Sequence, residues 1–322
     1  MTGPLGSVLM TSAGSKIPLL RALRDAARRI DPDATIVAGD SDPDAVSRYL
    51  ADSFWRMPDL EALSIDVFVA ECAQRDVRTI LPTRDGELAF WAGARPALEA
   101  AGISVIVSRP ESVALCLDKL AFADWGRAAG LPVIPAAQQP EAFSDVALVV
   151  KERFGAGSRS IGIGLSPADA RRHAAGLANP LFQPLVTGVE ISIDAWLTAA
   201  GAVHGLVLRR RDRVVNGESQ TTTTFRDARL EAQAADILGR LGLSGPVVMQ
   251  AIVVEAGLAV IEVNARFGGA STASLSVGLD MLYWSLFERA WPGAPLPAFD
   301  RRQGEVRQVR VAEDIVIRDP DL

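Results

Sequence analysis

The hydrophobic pattern of this chain changes once, near residue 110, and that change limits the folds open to it. Upstream, short apolar runs alternate with helical patterns. They are Ser7–Met10, a helix near Ile17–Arg29, Thr35–Ala38, a helical pattern around Val67–Ala73, Thr79–Leu81, a helix near Leu88–Ala100, and Ser104–Val107. Strands alternating with helices predict a parallel sheet covered on both faces. A helical run, Leu117–Ala129, then stops at Gly130 with Pro132 just beyond. After it the strands lengthen and alternate more cleanly: Ala147–Arg153, Ile161–Leu165, Val189–Leu197, Val203–Arg213, Val247–Val254 and Leu258–Asn264. Pairs joined by short loops predict antiparallel sheets. The expected class is α/β followed by α+β, with a Rossmann-like domain over 1–110 and a second domain over 111–322.

Length agrees with two domains, since 322 residues is about twice the ~150 of an average domain. With 33 basic against 39 acidic residues the net charge is −6. Phosphate neutralisation drives nucleic-acid binding, so no nucleic-acid partner is expected. No stretch approaches the ~20 apolar residues of a membrane span, and no secretory signal opens the chain. Two cysteines, Cys72 and Cys116, make neither a disulfide framework nor a thiolate metal site. Two histidines, His173 and His204, lie too far apart for metal spacing. The expected setting is the cytoplasm.

Only three of the cations are lysines: Lys16, Lys119 and Lys151. A GC-rich genome accounts for most of that imbalance. The remaining lysines mark places where a compact ammonium is needed and a guanidinium fork has the wrong shape. The strand-turn-helix over Leu9–Lys16 resembles a nucleotide-binding turn, with Asp40 where a ribose ligand would sit, but Gly14 stands without the rest of a GxGxxG. A Rossmann-type oxidoreductase therefore lacks its fingerprint.

Four features could carry chemistry. In Val149–Gly164 a strand ends in a loop with Gly155, Gly157, Ser158 and Ser160, and a second strand follows. Glycines there let backbone N–H groups approach phosphate oxygens, with Lys151 adding a localised charge. Read alone, such a hairpin is more often only a turn. Glu262 and Asn264 share one strand face, a hard-oxygen pair suited to Mg²⁺, with Arg266 beside them. Glu190, Ser192 and Asp194 share another face. Arg209, Arg211 and Arg213 do the same, and repel unless anions or carboxylates compensate. A solvated sheet face is the plainer reading of both strands, preferred for Asp194 and Arg213.

The order of these features resembles the ATP-grasp superfamily, particularly its carbamoyl-phosphate synthase large-subunit-like branch. The resemblance covers essentially the whole chain and makes residues 1–110 a pre-ATP-grasp domain and 111–322 an ATP-grasp domain, with a small lid over about 120–186. It implies that Lys119 and Lys151 contact ATP phosphates and that Gly155 to Ser160 is the loop closing over them. It implies a hinge strand, Gln183, Pro184, Leu185 and Val186, reading adenine, and Glu190 on the ribose. Gln250, Glu262 and Asn264 match Mg²⁺ ligands, with Mn²⁺ as an alternative metal. Arg266 matches the arginine at the transferring phosphate, and Arg209 and Arg211 fall near the acyl-phosphate site. Ala265 departs from the usual Asn-Pro-Arg, and Gln250 is neutral where many members use a carboxylate.

The activity so implied is an ATP- and Mg²⁺-dependent ligase that activates a carboxylate as an acyl phosphate for attack by an amine. Its partners would be small molecules, with no membrane and room for a homodimer. The alternative is a non-catalytic nucleotide-binding or regulatory protein of the same fold. The metal reading also sets the hairpin after Val247. A three-residue loop, Glu255-Ala256-Gly257, pairs Val254 with Leu258 and puts Gln250 opposite Glu262, with Gly257 in the left-handed position.

Overall fold

A computed structural model of the chain describes residues 5–143, 146–155 and 160–317. The first half follows the predicted alternation. Strands β1 (Ser7–Thr11), β2 (Thr35–Asp40), β3 (Ser53–Arg56), β4 (Val77–Leu81) and β5 (Ser104–Val105) alternate with helices α1 (Ile17–Ile30), α2 (Ile65–Gln74) and α3 (Asp85–Ala100). All strand pairs are parallel and the order is β3-β2-β1-β4-β5. β1 is buried along its whole length, as a strand covered on both faces must be. α1 starts with Pro18 in its first turn and buries Leu19, Leu20, Leu23, Ala26, Ala27 and Ile30 along one stripe, with Arg28 and Arg29 closing its C-terminal end. β3 was not expected, because Ser-Phe-Trp-Arg carries no alternation long enough to announce a strand.

The helical run expected over Leu117–Ala129 is α5 (Lys119–Ala128), and a helix the sequence did not announce, α4 (Pro110–Leu117), stands just before it. Asp118 separates them. Its extended backbone ends α4 while its carboxylate accepts from Leu120 N (3.0 Å) and Ala121 N (3.1 Å) to start α5. A small antiparallel sheet follows, β6 (Leu148–Glu152) between β7 (Gly162–Leu165) and β8 (Pro180–Pro184), backed by α6 (Pro167–Ala174).

The large antiparallel sheet contains β9 (Val189–Leu197), β10 (Val203–Val215), β11 (Glu218–Phe225), β12 (Gly245–Val254), β13 (Gly257–Asn264) and β14 (Arg307–Val309), in the order β13-β12-β9-β10-β11-β14. Helix α7 (Ala228–Gly239) precedes β12; α8 (Thr272–Ser276) and α9 (Met281–Ala290) follow β13. Ile191, Ile193, Leu208 and Met249 fall on one face of this sheet and join the core that also holds α7 residues Leu230, Ala234 and Ile237. The opposite face carries the polar residues.

The two halves share their cores. One buried cluster contains Leu9 and Trp91 from the first half with Ile193 and Met249 from the second. Another joins Val8 and Leu20 to Trp196, Met281 and Trp284. Arg29 of α1 lies over the Tyr283 ring (4.2 Å to its centroid) and pairs with Asp280 at 2.5 Å. Among the described residues no helix is long and apolar enough to cross a membrane.

Lys16 explains its own chemical identity. Its ammonium donates to Thr83 Oγ1 (2.7 Å), Thr83 O (2.9 Å) and Ser12 O (3.1 Å). Three donors meet three oxygens around one compact cation, a geometry that a planar guanidinium cannot reproduce. The contacts pin the β1–α1 turn to the β4–α3 turn. Asp40 is committed to backbone as well, its carboxylate accepting from Gly14 N (2.7 Å) and Asp42 N (3.1 Å). It closes turns where the sequence suggested a ribose ligand.

Candidate active site

Cross-strand register brings the polar residues together. Directly opposed residues of an antiparallel pair share a face. Gln250 opposes both Glu262 and Ser192, and Ser192 opposes Arg209. Glu190, Asp194, Arg211 and Asn264 lie two residues further along these strands, so one sheet face collects them all.

The hairpin that delivers Glu262 differs from the expected one. Val254 pairs with Gly257 across a two-residue turn, Glu255-Ala256, and the three-residue loop does not form. Gly257 holds φ +123°, and a Cβ on it would meet Gln233 Oε1, which instead accepts Leu258 N at 2.9 Å. The register set by that turn runs through Ala251↔Val260 and then shifts by one residue before Gln250↔Glu262. Ile261 is the extra residue of this β-bulge. The expected pairing is therefore reached by a different route, with the bulge supplying the offset assigned to the loop.

Glu262 and Asn264 lie side by side, with Asn264 Nδ2 3.4 Å from Glu262 Oε1. With Gln250 opposite, they form a half-buried set of hard oxygen donors, which fits Mg²⁺. Lys119 Nζ sits 4.0 Å from Glu262 Oε2. It also donates to Gly155 O at 2.6 Å, so one ammonium touches both the metal-type carboxylate and the start of the glycine loop. Gly155 holds φ +100° with open space where a Cβ would be. At the far end of the loop, Ser160 O lies 2.8 Å from His173 Nε2. Gly157 and Ser158 lie outside the described residues.

Lys151 is 6% exposed on β6. Burial pushes its ammonium pKa down to about 8, while Glu262 and Glu190 draw it up and Lys119 lowers it further. Glu262 and Glu190 are thus near enough to act on its charge from the large sheet. Two features that the sequence reading missed set these lysines in place. Arg153 donates to Asp118 through two nitrogens, at 2.7 and 2.5 Å. Because Asp118 starts α5, this clasp ties β6 to the helix turn bearing Lys119, and the guanidinium hydrogen bond holds Asp118 below the usual carboxylate range.

The hinge residues are placed beside the strand bearing Lys151. Gln183 opposes Val149 on β6, and its side chain is buried with Nε2 donating to Ile134 O at 3.3 Å. Pro184 has no N–H, and Leu185 N is committed to Ala147 O at 2.8 Å.

The arginines of β10 have separate fates. Arg209 is 2% exposed and Asp194 fully buried. Asp194 takes Arg209 at 2.6 and 3.2 Å and also accepts Ser271 Oγ (2.8 Å) and Ser274 Oγ (2.5 Å). This corrects two expectations. Asp194 is no solvated face residue, and Arg209 is locked in a buried ion pair instead of facing the cleft. Arg211 keeps capacity: its Nη2 donates to Gly217 O (2.8 Å), but its buried Nε lies 3.3 Å from Glu190 Oε1 without a hydrogen bond. Arg213 is exposed, as expected.

Arg266 reaches into the first half of the chain. Its Nε donates to Asp85 Oδ1 at 2.7 Å, its Nη2 pairs with Asp85 Oδ2, and its Nη1 donates to Phe267 O at 2.8 Å. Next to this pair, a cleft of about 400 Å³ opens at the carboxyl ends of the parallel strands, lined by residues including Ser12, Asp40, Asp59, Arg84 and Glu87.

A five-stranded parallel domain, a small antiparallel sheet and a large antiparallel sheet, with two lysines and the Glu262–Asn264 pair between them, make an ATP-grasp architecture. Residues 178–310 match the family model described as "ATP-grasp in the biosynthetic pathway with Ter operon". Residues 8–106 match the model described as "PylC-like, N-terminal domain". The chain is an ATP-grasp protein with a PylC-like domain ahead of its ATP-grasp domain. These descriptions carry the superfamily; neither names the narrower carbamoyl-phosphate synthase branch.

Solved structures share the fold. The biotin carboxylase domain of Hydrogenobacter thermophilus 2-oxoglutarate carboxylase, in complex with MgADP, ADP and bicarbonate, is similar at TM-score 0.74 and 18% identity over 94% of this chain and 73% of that one. Biotin carboxylase from Campylobacter jejuni gives 0.74 and 18% over 94% and 74%. N5-carboxyaminoimidazole ribonucleotide synthetase from Thermus thermophilus gives 0.69 and 16% over 94% and 82%. No curated protein matches the sequence.

Proposed function

We propose that this chain is an ATP-dependent ligase joining a small-molecule carboxylate to an amine or related nucleophile. The observation that carries the reading is the convergence of Lys119 and Lys151 on Glu262, from two separate elements, at the mouth of a glycine loop. The MgADP and bicarbonate held by the Hydrogenobacter structure agree with it. The chain divides near residue 110, with the lid at about 120–186 closing on the nucleotide.

In this reading the two ammonium groups meet the ATP phosphates. With Pro184 and Leu185 excluded as donors, the Val186 amide reads the adenine edge and Glu190 takes the ribose. Gln250, Glu262 and Asn264 hold Mg²⁺, which when bound neutralises phosphate charge. A substrate carboxylate oxygen attacks the γ-phosphorus, the bond from that phosphorus to the β–γ bridging oxygen breaks, and ADP leaves. The amine nitrogen then attacks the acyl carbon, the acyl carbon–oxygen bond breaks, and inorganic phosphate departs with the proton the nitrogen loses. Arg211 and Arg266 face the charge that develops. Positioning and charge cancellation suffice for such a transfer, which suits a site without histidine or cysteine nucleophiles.

Incubation with ATP, Mg²⁺ and panels of carboxylates and amines tests this directly. Release of ADP that depends on both partners supports the ligase. Tight MgATP binding without release under any pair reduces the protein to a nucleotide binder.

A pH dependence follows from Lys151. Its ammonium deprotonates near pH 8 in the free protein, whereas bound phosphates favour the charged form. Binding above pH 8 must therefore take up a proton, so ATP affinity falls by up to about tenfold per pH unit there. Titration calorimetry at pH 7 to 10 measures it. Lys151→Arg should flatten the profile, and a flat wild-type profile would count against contact between Lys151 and phosphate.

A further inference from the structure

We propose that Asp85 is the positioning residue for Arg266, so that the N-terminal parallel sheet sets the guanidinium that meets the transferring phosphoryl group. The proposal rests on the role given to Arg266 above and adds a residue from the other half of the chain.

A guanidinium has five N–H donors. Asp85 takes two of them and the Phe267 carbonyl takes a third, leaving two to meet an anion. The side-on carboxylate confines the guanidinium to one plane, and both side chains are largely buried, 17% and 10% exposed. The pair is therefore an aimed donor as well as a neutralised charge.

What aims Asp85 is the parallel sheet. Asp85 is the first residue of α3, where the helix N-terminus favours a carboxylate. The start of that helix is fixed by Glu87, whose Oε1 accepts Thr83 N (2.8 Å) and Arg84 N (2.9 Å) and whose Oε2 accepts Trp91 Nε1 (3.1 Å). Thr83 in turn donates to Thr11 O at 2.7 Å and receives the Lys16 ammonium. Hydrogen bonds thus tie the end of β1 to the first turn of α3, and the helix backbone carries that anchorage to Asp85 and so to the transfer arginine. A displacement of the N-terminal turns would move Arg266 with them.

An inter-domain ion pair could also be simple glue, so the readout must be specific to the γ-phosphate. Titrations with Mg²⁺-ADP and with Mg²⁺-adenylyl imidodiphosphate, a non-hydrolysable ATP analogue, give a triphosphate-to-diphosphate affinity ratio. Asp85→Asn is expected to lower that ratio about tenfold or more, leaving ADP binding within about twofold, as loss of a charge-assisted bond predicts. Asp85→Glu, which keeps the charge on a longer arm and covers the case of an unstable Asn variant, should lower it by less. Arg266→Ala should match Asp85→Asn, and the double variant should be no worse than either. Equal loss of both nucleotides in Asp85→Asn, or strict additivity in the double variant, overturns the positioning role. A ratio lowered by Arg266→Ala but untouched by both Asp85 variants overturns it alone. A ratio untouched by Arg266→Ala overturns the reading of Arg266 and this proposal together.

Discussion

Lys151→Ala should lower ATP turnover by about 10²–10³ while leaving the protein folded, the loss typical of removing one preorganised charge from a transferring group. Lys151 is 6% exposed on β6, and Glu262 and Glu190 act on its charge while Lys119 approaches from α5. Its effect on stability has the opposite sign. Burial depresses the folded-state pKa from 10.5 to about 8, so the unliganded fold works against a charge that the unfolded chain carries freely. Lys151→Met should therefore stabilise the unliganded protein by about 1–3 kcal/mol at pH 7. The sign can be followed with pH. The penalty is complete below pH 8 and fades between pH 8 and 10.5, so the advantage of the Met variant should shrink over that interval. Urea unfolding at pH 7 and pH 10 compares the two, and ADP release measures the activity. Near-wild-type ADP formation in Lys151→Ala would remove the lysine and its glycine hairpin from the nucleotide site.

Asp194→Ala should cost about 3–5 kcal/mol of stability, because it leaves a buried guanidinium without its carboxylate partner. Arg209 is 2% exposed, and Asp194 also holds Ser271 and Ser274, so the vacancy would strand four donors on three side chains. Asp194→Asn keeps hydrogen-bonding capacity and should lose less. The double change Asp194→Leu with Arg209→Met removes both charges and should recover much of the loss, while retaining MgATP binding. Chemical denaturation reads the stabilities, and calorimetry reads the nucleotide. If Asp194→Ala costs under about 1 kcal/mol, the pair is not the anchor described. If the double variant folds but no longer binds MgATP, Arg209 has a functional part after all.

These two residues show how far the sequence could be read. Alternation placed Glu190, Ser192 and Asp194 on one face and Arg209 and Arg211 on another, because side chains of a strand have period two. It could not show that Asp194 lies buried while Glu190 remains open to solvent. That difference is made by Ser271 and Ser274, which close over Asp194 from beyond β13. Arg209 and Arg211 have the same chemistry and the same parity. Only packing separates the one locked to Asp194 from the one whose Nε, beside Glu190, makes no hydrogen bond.

The hairpin of β12 and β13 makes the same point about backbone. Gln250 opposite Glu262 was legible because only that register puts both oxygens on one face. The turn was not, since a bulge at Ile261 shifts the pairing as an extra loop residue would. Both faces of β12 are apolar, so the face came from the metal reading, and apolar patterning says nothing of where an inserted residue sits.

What the sequence determined by itself was local and periodic: a parallel half followed by an antiparallel half, the strands that carry polar faces, and three lysines retained in a chain that otherwise uses arginine. What the tertiary structure alone decided was which charges are paired. Asp85 meets Arg266, Asp118 clasps Arg153, and Lys16 finds Thr83. The physical reason is that secondary structure follows from neighbours a few residues apart, whereas a buried charge takes whichever partner the folded core places within about 3 Å.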